Sequence, residues 1–441
     1  MEQEYLKTQN PVSLVIKSSI PMVISMLVNS LYNIIDSLFI ARISGEAMTA
    51  ISLVFPLQNI ITSIAVGIGI GINAAAAYFM GAGRKKVAEE TSLQGLIMNI
   101  VHGLILMVLG VTFAPIFVRM FTTNPDTIAY AVQYSQTVFL FSIIVMAGIT
   151  FEKIFQAIGK MSMSMIGMLA GSIVNIILDP ILIFGMFGMP KMGIRGAALA
   201  TGIAQTVTLL VYLAFYFWGN VSFHMFNKQN IGTFQHLKRI YAVGIPGTLN
   251  MALPSILITA LNTILTSYAD GYVLILGIYY KLQTFIYLTV NGIVQGIRPL
   301  ISFNFGAGQM LRVKKIYRIA LVMSAVIMFG GMCGCVFFGH TLVGLFTTDA
   351  WVIEHGSRAF LIISMGFLPS TISVITSGSM EALGKGGASL IISCMRYIVI
   401  IGVAYLLSLF LGVTGVWHAF WVTELVTAVM AWMGLSRISK M

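Results

Sequence analysis

Continuous apolar runs of about twenty residues or more recur along the chain from Ser18 onward, parted by short polar turns. A soluble core cannot bury that many, so lipid must be the solvent for most of them. The runs lack the alternating apolar and polar dyad of barrel strands, which leaves helices as the spanning elements. Twelve are predicted, at 18–41, 50–78, 93–118, 131–151, 163–187, 194–219, 241–268, 272–303, 316–340, 357–380, 388–411 and 414–436. The first run is too long for a signal-peptide core and no small-residue cleavage site follows it, so it reads as a retained helix.

The positive charges test this count. The segment before the first span, the even-numbered connections and the segment after the last hold seventeen Lys and Arg residues, Lys7, Lys153, Lys160, Lys228, Arg437 and Lys440 among them. The odd-numbered connections hold five: Arg42, Arg119, Lys191, Arg195 and Arg358. A cytoplasmic excess of that size supports an even number of spans with both termini inside the cell. It also disposes of the nucleic-acid reading that a net charge of +11 would otherwise invite. Only 9% of the 441 residues are charged, against roughly 25% in soluble domains. Cys333, Cys335 and Cys394 fall inside apolar segments, where a small hydrophobic role is the default and a disulfide framework is not expected.

Sliding the chain against itself by 225 positions brings short identities into register. Ile20-Pro21 meets Ile245-Pro246, Leu57-Gln58 meets Leu282-Gln283, and Gly67 and Gly71 meet Gly292 and Gly296. Gly81-Ala82-Gly83 meets Gly306-Ala307-Gly308, and Phe121-Thr122-Thr123 meets Phe346-Thr347-Thr348. Ala157, Gly159 and Lys160 meet Ala382, Gly384 and Lys385; beyond the fifth span the offset slips to 219, where Gly193 and Gly196 meet Gly412 and Gly415. An even number of spans per repeat gives both halves one orientation. The expected fold is an all-α membrane protein of twelve helices in two pseudo-symmetric six-helix lobes, related by an axis along the membrane normal. Residues 1–219 form the N-lobe, 220–240 a cytoplasmic linker and 241–441 the C-lobe. Rocking of such lobes about a central cavity is a transport mechanism. The glycine-alanine-glycine turns resemble phosphate loops only superficially, having no preceding strand and no lysine-serine pair, and read as helix ends.

Ionisable groups inside the bilayer are costly and mark functional hypotheses. Rising ~1.5 Å per residue from the cytoplasmic end, Asp36 on the first span stands ~27 Å up and Asp179 on the fifth ~24 Å up. Asn175 shares the helical face of Asp179, and Thr201 on the sixth span reaches the same level. Two carboxylates, an amide and a hydroxyl at one depth make an oxygen cage for Na⁺, or a proton site. Pro180, directly after Asp179, can bend its helix and free a carbonyl. The plain alternative is that these groups only hydrogen-bond neighbouring helices. The second half inverts the pattern with Lys281, Arg298, Arg396 and Glu424, Glu424 serving to neutralise Arg396 or Lys281 as a charge network or substrate contact. Met26, Tyr32, Phe155, Tyr279 and Tyr280 are candidate cavity residues, for which lipid-facing or packing roles are the plain alternative.

These residues resemble the MATE (multidrug and toxic compound extrusion) family in its DinF-like and MepA-like bacterial branch, over essentially the whole chain. The resemblance rests on Ile20-Pro21, the run Asn29 to Asp36, Gln156 to Lys160, Asn175 to Pro180, Gly193 to Thr201, Gln295-Gly296 with Pro299, and Asn304 to Ala307, besides the glycine turns. It implies a secondary antiporter that exports small amphiphilic compounds in exchange for Na⁺ or H⁺. It also implies a coupling site at Asp36, Asn175, Asp179 and Thr201, and residence in the bacterial inner membrane. No organic cofactor, no metal beyond Na⁺, no nucleic-acid partner and a monomer are expected. A C-lobe cation site of the kind found in another branch is not expected, because span 241–268 and the body of span 357–380 hold no carboxylate. A lipid-linked oligosaccharide flippase is the alternative within transport, on the strength of Lys281 and Arg298. A membrane-embedded enzyme is disfavoured, for no span holds a metal pair or a nucleophile with its base.

Overall fold

The computed structural model of the chain describes residues 4–219, 221–227 and 235–439, and among them every regular element is a helix. Lys228, Lys440 and part of the expected linker lie outside the described residues. A short helix α1 (Tyr5–Thr8) is followed by α2 (Pro11–Ala41), α3 (Gly45–Gly81) and α4 (Lys85–Arg119). Then come α5 (Pro125–Leu140), α6 (Ser142–Ala157), α7 (Met161–Phe184) and α8 (Ile194–Trp218). The second half runs through α9 (Leu237–Thr266), α10 (Asp270–Gly306), α11 (Met310–Gly344), α12 (Ala350–Ser364), α13 (Phe367–Ala382), α14 (Gly386–Leu411) and α15 (Val413–Ser439). Ten helices are long and apolar enough to cross a bilayer, and two bent pairs, α5 with α6 (49°) and α12 with α13 (53°), bring the count to twelve.

The fourth and tenth spans are therefore broken rather than straight, which the hydropathy pattern does not show. The breaks obey the repeat: α5 and α12 begin at 125 and 350, α6 and α13 at 142 and 367, each pair 225 apart. The bounds of α3 and α10, and of α4 and α11, repeat at the same spacing to the residue. The starts of α8 and α15, 194 and 413, keep the slipped offset of 219.

The shared motifs are local solutions to helix ends. Asn124 and Asp349 are repeat partners and N-caps of α5 and α12; the Asn124 side chain accepts from the N–H of Asp126 and Thr127, and Asp349 from those of Trp351 and Val352. The Thr122 and Thr347 hydroxyls in turn accept the cap residues' own N–H groups, both at 3.2 Å. Asp349 is exposed and starts its helix. Gly83 (φ 73°), Gly159, Gly308 and Gly384 take the left-handed conformation that closes α3, α6, α10 and α13.

Other repeated glycines mark helix crossings. A Cβ on Gly81 would stand 1.8 Å from the Phe303 carbonyl oxygen, and one on Gly306 would stand 2.0 Å from that of Tyr78. The ends of α3 and α10 thus meet backbone to backbone at residues related by the repeat. Gly67 and Gly71 of α3 crowd Thr248 and Ile240 of α9, while Gly292 and Gly296 of α10 crowd Val23 and Ser19 of α2.

The chain forms two compact units. One comprises 1–8, 24–248 and 302–308, and the other 9–23, 249–301 and 309–441. Within the first, α7 packs along α8, and a core of Ile40, Val54, Val118, Phe139, Ile183 and Ile194 ties α2 to α3, α4, α5, α7 and α8. Residues 221–227 lie against this unit, with Phe223 and Met225 buried and the His224 N–H donating to Glu89 Oε1 at 2.8 Å. Within the second, α14 packs along α15 and α13 lies against both.

Candidate functional site

The first unit gathers the four residues grouped by depth. α7 carries Asn175 and Asp179 one turn apart, and α8 brings Thr201 beside them. Asn175 Nδ2 donates at 3.4 Å to Asp179 Oδ1 and at 3.4 Å to Thr201 Oγ1, both long. From α2, the Asp36 carboxyl stands beside that of Asp179, near enough for the two to interact. Tyr32, one turn before Asp36, and Tyr134 of α5 complete the surround, interacting with both aspartates. Tyr134 is buried and escaped the sequence reading; nothing in its own apolar run sets it apart.

Three buried oxygens here have no hydrogen-bond partner: Asp36 Oδ1, Asn175 Oδ1 and Asp179 Oδ2. All three are acceptors. Unmatched acceptors in a dry site are expensive, and two ionised carboxylates at this separation also repel. A hard monovalent cation or a shared proton answers both demands, since each supplies positive charge to oxygen ligands. The set does not suit a transition metal, and no cluster of three His, Cys, Asp or Glu side chains with ligand geometry occurs among the described residues.

At the repeat-related positions of the second unit stand Leu261, Ile400, Ala404 and, at the slipped offset, Phe420, all buried and all apolar. The cage is built once. In the second unit Arg396 instead pairs with Glu424, which also accepts from Ser373 Oγ at 3.3 Å. Lys281 takes no part in that pair: it is exposed, its ammonium 5.7 Å from the centre of the Phe346 ring. Lys281 therefore stands on an exposed face of α10 and outside the buried network. Tyr279 and Phe155 are core residues, Phe155 packing on Tyr212 and Phe215, whereas Met26, Tyr32 and Tyr280 are partly exposed.

A second pair of charge clusters follows the repeat. In the first unit Lys153 Nζ binds Glu152 Oε1 (2.8 Å) and Gln156 Oε1 (3.2 Å), Gln156 Nε2 reaches Ser164 Oγ at 3.1 Å, and Asn73 Nδ2 donates to the Lys153 carbonyl. In the second, Arg298 binds Glu381 at 2.7 Å, and Glu381 also accepts from Ser389 (3.0 Å) and Asn250 (3.3 Å). Asn73, Gln156 and Ser164 are the repeat partners of Arg298, Glu381 and Ser389. Lys153 is thus no loop charge. α6 runs on past residue 151, and the side chain is 3% exposed.

Two copies of one six-span pattern in an all-helical chain define a multi-pass membrane protein with a duplicated architecture. The MatE family model matches residues 21–181 and again 246–406, the repeat's own spacing, and the chain belongs to that family. Multidrug export protein MepA of Staphylococcus haemolyticus (strain JCSC1435) is 29% identical over 414 residues, covering 94% of this chain and 90% of the relative. MepA of Staphylococcus aureus (strain MRSA252) is 29% identical over 435 residues, covering 98% and 95%. The fold matches an outward-facing conformation of a multidrug resistance MATE family transporter of the MOP superfamily, with TM-score 0.93 at 23% identity over 100% of this chain and 98% of that one. It also matches a Pyrococcus furiosus MOP superfamily transporter described as having a binding pocket of reverse polarity, with TM-score 0.92 at 22% identity and the same coverage.

Proposed function

We propose that the protein is a secondary antiporter that exports small amphiphilic organic compounds in exchange for Na⁺ or H⁺. The observation that carries this is the cage itself: three acceptor oxygens, of Asp36 on α2 and of Asn175 and Asp179 one turn apart on α7, buried and unmatched. Family membership and the multidrug export relatives support the export direction and the kind of cargo.

The chemistry is a competition between charge states. With neither proton nor cation, the paired carboxylates destabilise the conformation that buries them. Proton or Na⁺ entry from the side of higher electrochemical potential relieves that cost and shifts the population toward the cargo-releasing state. Asn175 holds Asp179 and Thr201 in place, and Thr201 Oγ1 offers a further ligand oxygen. The two repeats, 1–219 and 241–441, serve as the moving lobes, with 220–240 between them. The protein acts as a monomer in the cytoplasmic membrane with both termini inside.

The test is transport in proteoliposomes with Na⁺ and H⁺ gradients imposed separately and a cationic dye as cargo. Asp36→Asn and Asp179→Asn should each abolish gradient-driven efflux while the protein still inserts and binds dye. Wild-type rates in both variants would overturn the coupling assignment.

A further inference from the structure

The Arg396–Glu424 pair differs from the other buried ion pair of its unit in one respect. Arg298 and Glu381 are sealed on both sides, with side chains 8% and 7% exposed. Around Arg396 the seal is one-sided: Glu424 is 9% exposed but Arg396 is 23%. Its Nη2 serves both Glu424 and, at 3.5 Å, the Tyr287 hydroxyl, while Nε and Nη1 donate to no described residue. The Nη2 corner of the guanidinium is tied and its Nη1 end is open.

Arg396 is the eleventh residue of α14, which places it ~15 Å along the helix, at the depth of the hydrocarbon core. A guanidinium end against acyl chains is costly there, so the open end must meet water. Two hydroxyl-bearing rings lie within its electrostatic reach. The Tyr287 ring centre lies 5.9 Å from the guanidinium carbon, and the Tyr280 hydroxyl is buried with no hydrogen-bond partner while interacting electrostatically with Arg396. In the first unit the repeat partners of Arg396 and Glu424 are Gly171 and Gln205, so the pair is no part of the shared scaffold.

We propose that the open end of Arg396 is a subsite for the carboxylate of aromatic substrates. This rests on the export reading and names a class of cargo for it. With Nη2 held by Glu424 and Tyr287, Nη1 offers a carboxylate a single charge-assisted hydrogen bond. Tyr280 supplies a further donor, and Tyr287 a face for the aromatic body. Glu424, fixed by Ser373, positions the guanidinium from behind. Because Arg396 and Glu424 together are neutral, the subsite favours a monoanion over a dianion.

The test uses the full chain in nanodiscs, with naphthalene-2-carboxylate, its methyl ester and naphthyl phosphate as probes in equilibrium dialysis. The wild type should bind the acid at least about tenfold tighter than the ester, the worth of one charged hydrogen bond of this kind. Arg396→Gln should erase that preference, and Arg396→Lys should keep part of it. Equal binding of acid and ester by the wild type, which needs no variant to fold, overturns the proposal. So does a preference that survives Arg396→Gln, or a phosphate that binds tighter than the carboxylate. Ethidium export in proteoliposomes separates the two readings. Dye export without acid preference removes the subsite alone, whereas acid preference without dye export removes the export reading and leaves the site.

Discussion

Replacing Glu381 by Gln tests how a buried charge is held in the second unit. Gln keeps the volume and still offers an acceptor to Asn250 and Ser389, but it strips the charge facing Arg298 at 2.7 Å. With both side chains less than a tenth exposed, the guanidinium is left in a dry site without its counter-charge, at a cost of about 3–5 kcal/mol. Removing both charges in Arg298→Met with Glu381→Leu avoids that penalty and leaves the Asn250 and Ser389 donors short, at about 1–3 kcal/mol. At about 2 cal/mol/K of unfolding entropy per residue, the single substitution should lower the melting midpoint by about 3–5 °C. The double substitution should fall between the single variant and the wild type. With the partly exposed Cys333 and Cys394 replaced by Ser in every variant, Cys335, buried on α11, provides the readout: a thiol-reactive fluorophore labels it as the fold opens. A Glu381→Gln midpoint within about a degree of wild type, or a double variant less stable than either single one, would refute this account of the pair.

Three further outcomes are expected from the same structure. Lys153→Met should destabilise the first unit by a comparable margin, measured by the same melts, because it leaves the Glu152 carboxylate dry. Gly81→Ala should sharply reduce the folded yield, seen as loss of the monodisperse chromatographic peak, since its Cβ would strike the Phe303 backbone; Gly330→Ala, with open space around it, should fold like the wild type. Asp349→Ala removes the α12 cap and should cost about 1 kcal/mol, visible as a drop of about a degree in the melting midpoint.

Much of the fold was legible because it is written twice. Hydropathy marks the spans, and a 225-residue offset in glycines, prolines and cap residues survives as a 225-residue offset in helix bounds. The bends did not show. At Phe141-Ser142 there is neither proline nor glycine, whereas the partner break at Met365-Gly366 carries a glycine, so no common local breaker marks the bends. Depth along a helix was readable too, which is why Asp36, Asn175, Asp179 and Thr201 could be grouped. Rotation about the axis was not. A helix in lipid is apolar on every side, so its hydrophobic pattern does not say which face points inward. That hid the exposure of Lys281 and the burial of Tyr134. The Lys153 and Arg298 clusters draw their partners from several helices, and no spacing along one segment announces them.

The division of the chain has a consequence for how it can be cut and rejoined. The boundary between the units falls inside two helices, between Val23 and Ile24 of α2 and between Thr248 and Leu249 of α9, positions 225 apart. Severing the polypeptide in the 220–240 segment would therefore leave neither fragment with a full unit. The first would lack Leu237–Thr248 and Ser302–Gly308, and the second would lack Gln9–Val23. The fragments are complementary parts of an obligate pair. Each depends on the other to finish its fold, so co-expression should rescue what separate expression loses.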